Sequence, residues 1–249
     1  MEPDQRKEND AQGSEWVLFI NVDKETFTRD YLNAPDKTIS RAWNAFDKSP
    51  KPLLVKITES LEHAEAARAL DRVVLRALQP MGLDEKLRCG GIGRRLSEKG
   101  AKEPDSQYAP ARYPPNWPRN WPGVVLEVAL SESASKVMSD VRYWVRQGDG
   151  AVQITLTLRI HRQNPRIIIE KWVQFSAGCP QRVQSIVVLR KHNGDFIVQG
   201  GPLVIEFDKL FLRQPKLPKE KDILLEDDQL ISLAKQIWRN QGFYEDEDE

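Results

Sequence analysis

A mixed α/β fold is the class this sequence predicts, and three observations point to it. First, residues 58–79 carry an apolar stripe (Leu61, Ala64, Leu70, Val74, Ala77, Leu78) at spacings of three and four, the period of a helix. Second, Val124-Val-Leu-Glu-Val-Ala-Leu130 is a compact β-branched run, followed by a helical pattern that turns Val137, Val141 and Trp144 inward. Third, Ala151–Ile160 alternates cleanly, with Val152, Ile154, Leu156, Leu158 and Ile160 on one face, the signature of a strand with one buried side. Helix, loop, strand, helix and then several strands is the order of an α/β or α+β domain.

The remaining elements follow in chain order. Residues 1–14 lack periodicity and are expected to be disordered; 15–52, with the short run Trp16–Ile20, read as an N-terminal extension. A core is expected over 53–213. Pro80 and Gly82 stop the first helix, and 84–122 is rich in Gly, Pro and charge, so loops around short strands are expected there. Ser131 or Ser133 can cap the second helix. Gly148-Asp-Gly150 and Asn193-Gly194 are turn signals, and further strands are expected at 166–175, 183–190, 195–198 and 203–207. A Pro- and Lys-rich linker (214–226) leads to a last helix at 227–241, with Leu230, Leu233, Ala234, Ile237 and Trp238 on one stripe. Such a helix packs on the body or binds a protein partner. Residues 242–249 form an acidic tail.

Composition narrows the function classes. The chain has 249 residues, enough for a core that needs no disulfide or metal staple. No apolar run has membrane-spanning length, and the polar, acidic start does not read as a signal or transit peptide. Two cysteines make neither a disulfide framework nor a zinc cage, so an intracellular place, cytoplasm or nucleus, is expected. The net charge is zero, yet residues 31–219 hold 30 basic against 19 acidic side chains between two acidic ends. A basic body favours a polyanionic partner such as nucleic acid, while acidic ends are also what solvated termini look like.

The residues that could carry chemistry lie between 59 and 140. Glu127 sits mid-strand in an apolar run, on the same face as Val125 and Ala129. A carboxylate there is costly unless it is paired or holds a metal. With Asp105 it could form a hard-oxygen site for Mg²⁺ or Mn²⁺; the alternative is a structural bridge to a cation. His63, His161 and His192 lack metal-ligand spacing, Gly90-Gly-Ile-Gly93 lacks the Lys-Ser/Thr of a phosphate loop, and no nucleophile elbow is present. Tyr108, Tyr113, Trp117 and Trp121 interleave with Arg94, Arg95, Arg112 and Arg119, a mixture that either clamps a nucleic-acid strand or packs a loop.

Pro104-Asp105, Glu127 in its strand, and Ser131-Glu-Ser133 opening a helix resemble the PD-(D/E)XK nuclease-like superfamily, in particular a branch of uncharacterised fungal proteins. Glu62-His63, Trp121-Pro122, Asp140, Trp144 and Glu170-Lys-Trp172 extend the ordered match over roughly 53–212. The resemblance implies a restriction-endonuclease-like core, a mixed sheet flanked by helices. It also implies Mg²⁺-dependent phosphodiester hydrolysis on nucleic acid, with Asp105 and Glu127 holding the metal. Glu62 is then the favoured third ligand among Glu59, Glu62 and Glu65, and Arg94 and Arg95 would contact nucleic acid. The motif's lysine position is Ala129, which departs from the pattern. Lys136 on the following helix is the favoured substitute, with Arg142 and Lys171 behind it. If none serves, the core is a catalytically silent binding or interaction module.

Overall fold

The computed structural model describes residues 16–19, 22–32, 43–47, 53–56, 61–90, 95–96, 100–118, 121–130, 134–148, 150–176 and 178–244. The expectations for 1–14, Glu59, Arg94, Arg119, the Ser131–Ser133 caps and residues 245–249 lie outside them. No described helix is long and apolar enough to cross a membrane.

The chain divides into two compact units. The first holds residues 1–60 and 94–103. Its strands are β1 (Trp16–Phe19), β2 (Trp43–Asp47), β3 (Leu53–Lys56), β5 (Arg95–Leu96) and β6 (Gly100–Lys102), with the short helix α1 (Lys24–Phe27) running into a π-turn. They form a five-stranded sheet in the order β1-β3-β2-β6-β5. The Asp23 carboxylate accepts from the Thr26 N–H at 2.7 Å, which caps α1.

The second unit, 61–93 and 104–249, carries the remaining elements. These are α2 (Leu61–Leu78), β4 (Leu87–Cys89), β7 (Ser106–Pro110), β8 (Val124–Leu130), α3 (Ala134–Gln147), β9 (Ile154–Ile160), β10 (Arg166–Ser176), β11 (Cys179–Arg190), β12 (Phe196–Gln199), β13 (Leu203–Ile205), α4 (Phe207–Phe211), β14 (Ile223–Leu225) and α5 (Asp227–Asn240). A seven-stranded mixed sheet runs β12-β11-β10-β9-β8-β7-β4. Only β8 and β9 pair in parallel within it, joined through α3, so this is a mixed α/β sheet flanked by helices, as expected. The stretch 214–226 is more ordered than its composition suggested: β14 pairs with β13, and Arg213 grips Glu220 through two hydrogen bonds of 2.6 and 2.8 Å.

Strand alternation decides what each face of the sheet packs against. Val124, Leu126, Val128, Ile154, Leu156, Leu158, Ile167, Ile169 and Ile186 form one face, buried in a single core with α2 and α5. The stripe Leu230, Leu233, Ala234, Ile237 and Trp238 is wholly in that core, so α5 packs on the body rather than offering its apolar side to a partner. A fully buried Leu or Ile contributes roughly 1.5–3 kcal/mol, which makes this face the main source of stability. The opposite face carries α3: Trp144 packs with Val125 and Val152, and Val141 and Val145 pack with Trp172. Every residue of β8 is buried, as suits a strand covered on both sides.

Two close approaches require glycine. A Cβ on Gly123 would lie 2.3 Å from the Lys209 carbonyl oxygen, and one on Gly200, at φ +81°, would lie 2.3 Å from the Ser185 oxygen. Gly200→Ala combines that clash with a left-handed backbone, which alone costs about 1–2 kcal/mol. Both Gly123→Ala and Gly200→Ala are therefore expected to lower the urea midpoint clearly, whereas Gly194→Ala, in open space, should show only the backbone cost. Equal midpoints for all three would contradict this packing.

A buried polar group beneath α2 sets a second expectation. Ser106 donates to Asp71 Oδ1 at 2.8 Å, and burial raises the Asp71 carboxyl, an effect the Ser106 bond partly offsets. Cys89 nearby is pushed up to about 11, first by burial and then by the Asp71 charge, so its thiol is not an activated nucleophile. A raised folded-state value means that the Asp71 contribution is fully present below its unfolded value of about 4 and is lost as pH rises through the folded one. Asp71→Asn, which keeps the acceptor oxygen, should gain stability relative to wild type as pH is raised from about 4 towards neutrality. Urea titrations across that range test it, and a pH-independent difference would refute the assignment.

Candidate functional site

The site is built around β8. On its β7 side, Val128 extends beyond the end of the neighbouring strand, because β7 begins only at Ser106, opposite Leu126. Its peptide groups are satisfied by side chains instead. Asp105 Oδ2 accepts from the Val128 N–H at 2.6 Å, and His63 Nε2, from the first turns of α2, donates to the Val128 carbonyl at 2.9 Å. The same His63 nitrogen lies 3.4 Å from Asp105 Oδ2. The Asp105 backbone N–H donates to the Leu126 oxygen at 3.1 Å, so Asp105 brackets Glu127 by holding the residue on either side of it. Buried polar peptide groups need partners, which gives His63 and Asp105 a structural reason to be where they are.

Glu127 projects to the α3 face and is 5% exposed. The Trp144 indole Nε1–H donates to its Oε1. Trp144 is in turn fixed edge-on by Trp121 at 6.2 Å and Tyr143 at 5.2 Å between ring centroids. The register continues the polar row: Glu127 stands beside Thr157 on β9, and Thr157 beside Glu170 on β10. Glu170 is neutralised by Arg182, whose Nη1 is 2.5 Å from Oε1, with Arg159 Nη2 at 3.5 Å from Oε2. Three buried polar atoms of this face, Thr155 Oγ1, Trp172 Nε1 and Arg159 Nε, have no hydrogen-bond partner among the described residues. Unmet polar demand beside two carboxylates is the mark of a place that takes ordered water or a polar ligand.

The expected residues divide sharply by location. Asp105 is bonded to the peptide N–H of Val128, next in sequence to Glu127, whose own carboxylate meets Trp144. Glu62 is half-buried at the start of α2, but its neighbour His63 is the side chain that reaches Asp105. Glu65 pairs with Arg68 at 2.9 Å and lies 3.8 Å from Arg72. Lys136 Nζ is 2.5 Å from Asp140 Oδ2 one turn along α3, and Arg142 is exposed. Lys171 falls on the other face of the sheet, bonded to the Val204 oxygen at 2.8 Å and to Glu206 at 3.0 Å, so it is not the missing motif lysine. Tyr108 is buried, Tyr113 lies under Arg88 with 5.0 Å to its centroid, and Trp121 packs on Trp144, so these aromatics are spent on packing. Arg95 lies in β5, in the other unit.

Arg159 and Arg182, beside Glu170, carry no signal in the sequence, and Trp144 is legible there as an inward residue but not as the partner of Glu127. His63 was visible only as half of the Glu62-His63 pair. The two arginines carry no motif, and their place depends on strand register.

A metal was the strongest chemical expectation for this pair of carboxylates. Among the described residues no group of three or more His, Cys, Asp and Glu side chains gathers closely enough to hold one. Two carboxylates with water and substrate phosphate still suit Mg²⁺, which commonly binds through one or two carboxylates.

No family model matches the chain, and no curated protein does. Among solved structures, it is similar to the crystal structure of a "putative nuclease belonging to DUF820" from Anabaena variabilis ATCC 29413. Identity is 12% and the TM-score 0.43, with 77% of this chain and 90% of that chain covered. An overlap at that score is too loose to carry chemistry across, and the reading of this chain rests on its own residues.

Proposed function

We propose that this chain is a metal-dependent phosphodiesterase acting on nucleic acid, built on a nuclease-like core. The observation that carries the proposal is the placement of Asp105 just ahead of β7, where its carboxylate accepts from the N–H of Val128, the residue that follows the buried Glu127 on β8. The resemblance of the Pro104-Asp105 and Glu127 motifs to PD-(D/E)XK nucleases supports the same reading. Bound Mg²⁺ or Mn²⁺ would polarise a phosphoryl oxygen and supply a hydroxide-like water. Asp105 and Glu127 would hold the ion through their carboxylate oxygens, with Glu62 supporting its shell from α2. Trp144 keeps Glu127 oriented, and His63 keeps the Val128 segment and Asp105 in register. Lys136, steered by Asp140, would assist the attacking water as the substitute for the lysine that Ala129 displaces.

A second reading has specific support. Ala129 stands in the motif position, Lys171 is on the wrong face, and Lys136 already has a carboxylate partner. A silent nuclease-like scaffold that binds without cutting satisfies these facts equally.

Cleavage of single- and double-stranded DNA and RNA with Mg²⁺ or Mn²⁺, beside an EDTA control, separates the two. The proposal expects metal-dependent cutting that falls at least about a hundredfold in Glu127→Gln and in Asp105→Asn, each removing a metal-holding carboxylate. Mn²⁺ binding followed by electron paramagnetic resonance should weaken in parallel. Folded wild-type protein that neither cuts nor binds Mn²⁺ would establish the silent scaffold instead.

A further inference from the structure

At the β9–β10 and β11–β12 turns, and between α2 and α5, lie two clefts rich in cations. One, of about 520 Å³ at the β9–β10 and β11–β12 turns, is lined by Arg166, Arg190, Lys191 and His192 together with Leu189 and Phe243. The other, of about 470 Å³ between α2 and α5, is lined by Arg72, Arg76, Lys235 and Arg239, with Glu65 the one acid. Both are within the size range of pockets that take small organic groups.

Two aromatic rings join them. The Arg190 guanidinium lies 5.4 Å from the Tyr244 centroid and 5.9 Å from that of Phe196. Lys235, from the other cleft, lies 5.1 and 4.9 Å from the same two rings. Arg190 Nη1 also donates to the Phe243 carbonyl at 2.6 Å, which fixes its direction. Among the described residues Arg76, Arg166, Arg190, Lys191 and Lys235 form no salt bridge with a carboxylate. The partners of Arg190 and Lys235 are rings and, for Arg190, a backbone carbonyl, which hold these two charges in place without neutralising them. Burial first, and then the charges of Arg166 and Arg159, hold His161 below the ordinary histidine range, which agrees with a positive field at this end of the sheet.

From these contacts we infer that the two clefts form one binding track for a single-stranded polynucleotide, with its phosphates on the cations and its bases against Leu189 and Phe243. Cations laid over rings still present N–H edges to phosphate, and apolar walls between cations suit unpaired bases. A duplex, whose bases are already stacked, has nothing to place against those walls. The inference goes beyond the proposed cleavage and does not depend on it, because the track uses none of the residues placed around Glu127 and Asp105.

The test is fluorescence anisotropy of a labelled single strand of about a dozen nucleotides, titrated with full-length protein in EDTA so that metal-dependent cutting plays no part. Wild type should bind saturably at low salt. The triple variant Arg166→Gln, Lys191→Gln, Lys235→Gln should bind about tenfold more weakly or worse. Its log–log salt slope should be shallower by roughly 2, about 0.7 for each lost phosphate contact. Lys86→Gln, an exposed cation outside both clefts, should stay within about twofold of wild type. Lys191→Gln alone, in an exposed turn, should weaken binding about threefold at an unchanged melting temperature, which guards against misfolding of the triple variant. Four results would overturn the inference: no saturable binding, equal loss in Lys86→Gln, competition by polyglutamate as strong as by unlabelled strand, or equal affinity for a duplex of the same length. Binding that meets these expectations in a protein that cuts nothing would leave the track standing and the phosphodiesterase reading refuted.

Discussion

A strand covered on both faces has to satisfy its backbone laterally, and β8 is the strand on which the second unit depends. Its apolar side chains meet α2 and α5 on one side and α3 on the other. Its backbone is taken up by β9 along its whole length but by β7 only over Val124–Leu126. Beyond that point no strand continues on the β7 side, and an unpaired buried peptide group costs about as much as a lost hydrogen bond. Asp105 and His63 supply the partners for Val128. The same requirement that completes the strand therefore delivers an acid and an imidazole to the flank of Glu127.

Glu127 poses the opposite problem, a carboxylate on a face otherwise given to packing. Part of the answer is the Trp144 indole, a donor on a ring held by Trp121 and Tyr143. Glu170, two strands away, is answered by Arg182 and Arg159. The two carboxylates of one row thus differ in their partners: Glu170 meets two arginines, and Glu127 accepts from an indole.

Positive charge is arranged by a different rule. On the α2–α5 side, Arg190 and Lys235 are placed by the Phe196 and Tyr244 rings, which hold them without cancelling their charge. The cations around these rings are not the residues packed about Glu127. A basic body could be read from composition, although which of its cations share a cleft could not.

What the sequence by itself determined is local. The strand 124–130, the helices around 61–78 and 227–240, the Asn193-Gly194 turn and the buried carboxylate at 127 all follow from periodicity and turn chemistry, which act over a few residues. The partner of that carboxylate was beyond such reasoning, because Trp144 reaches it from a separate helix. Register decided more. In β10, Ile167-Ile-Ile-Glu-Lys-Trp172 has apolar and charged residues on both faces, so alternation alone could not say whether Glu170 or Lys171 joins Glu127. Pairing with β9 sets Glu170 beside Thr157 and sends Lys171 to Glu206. His63 rather than Glu62 reaches Asp105 because a helix turns 100° per residue, and only docking of α2 on the sheet fixes which of two neighbours faces inward. The cations of the track come from α2, two turns and α5, segments brought together only by burial of the apolar stripes between them, and tertiary packing alone could make them neighbours.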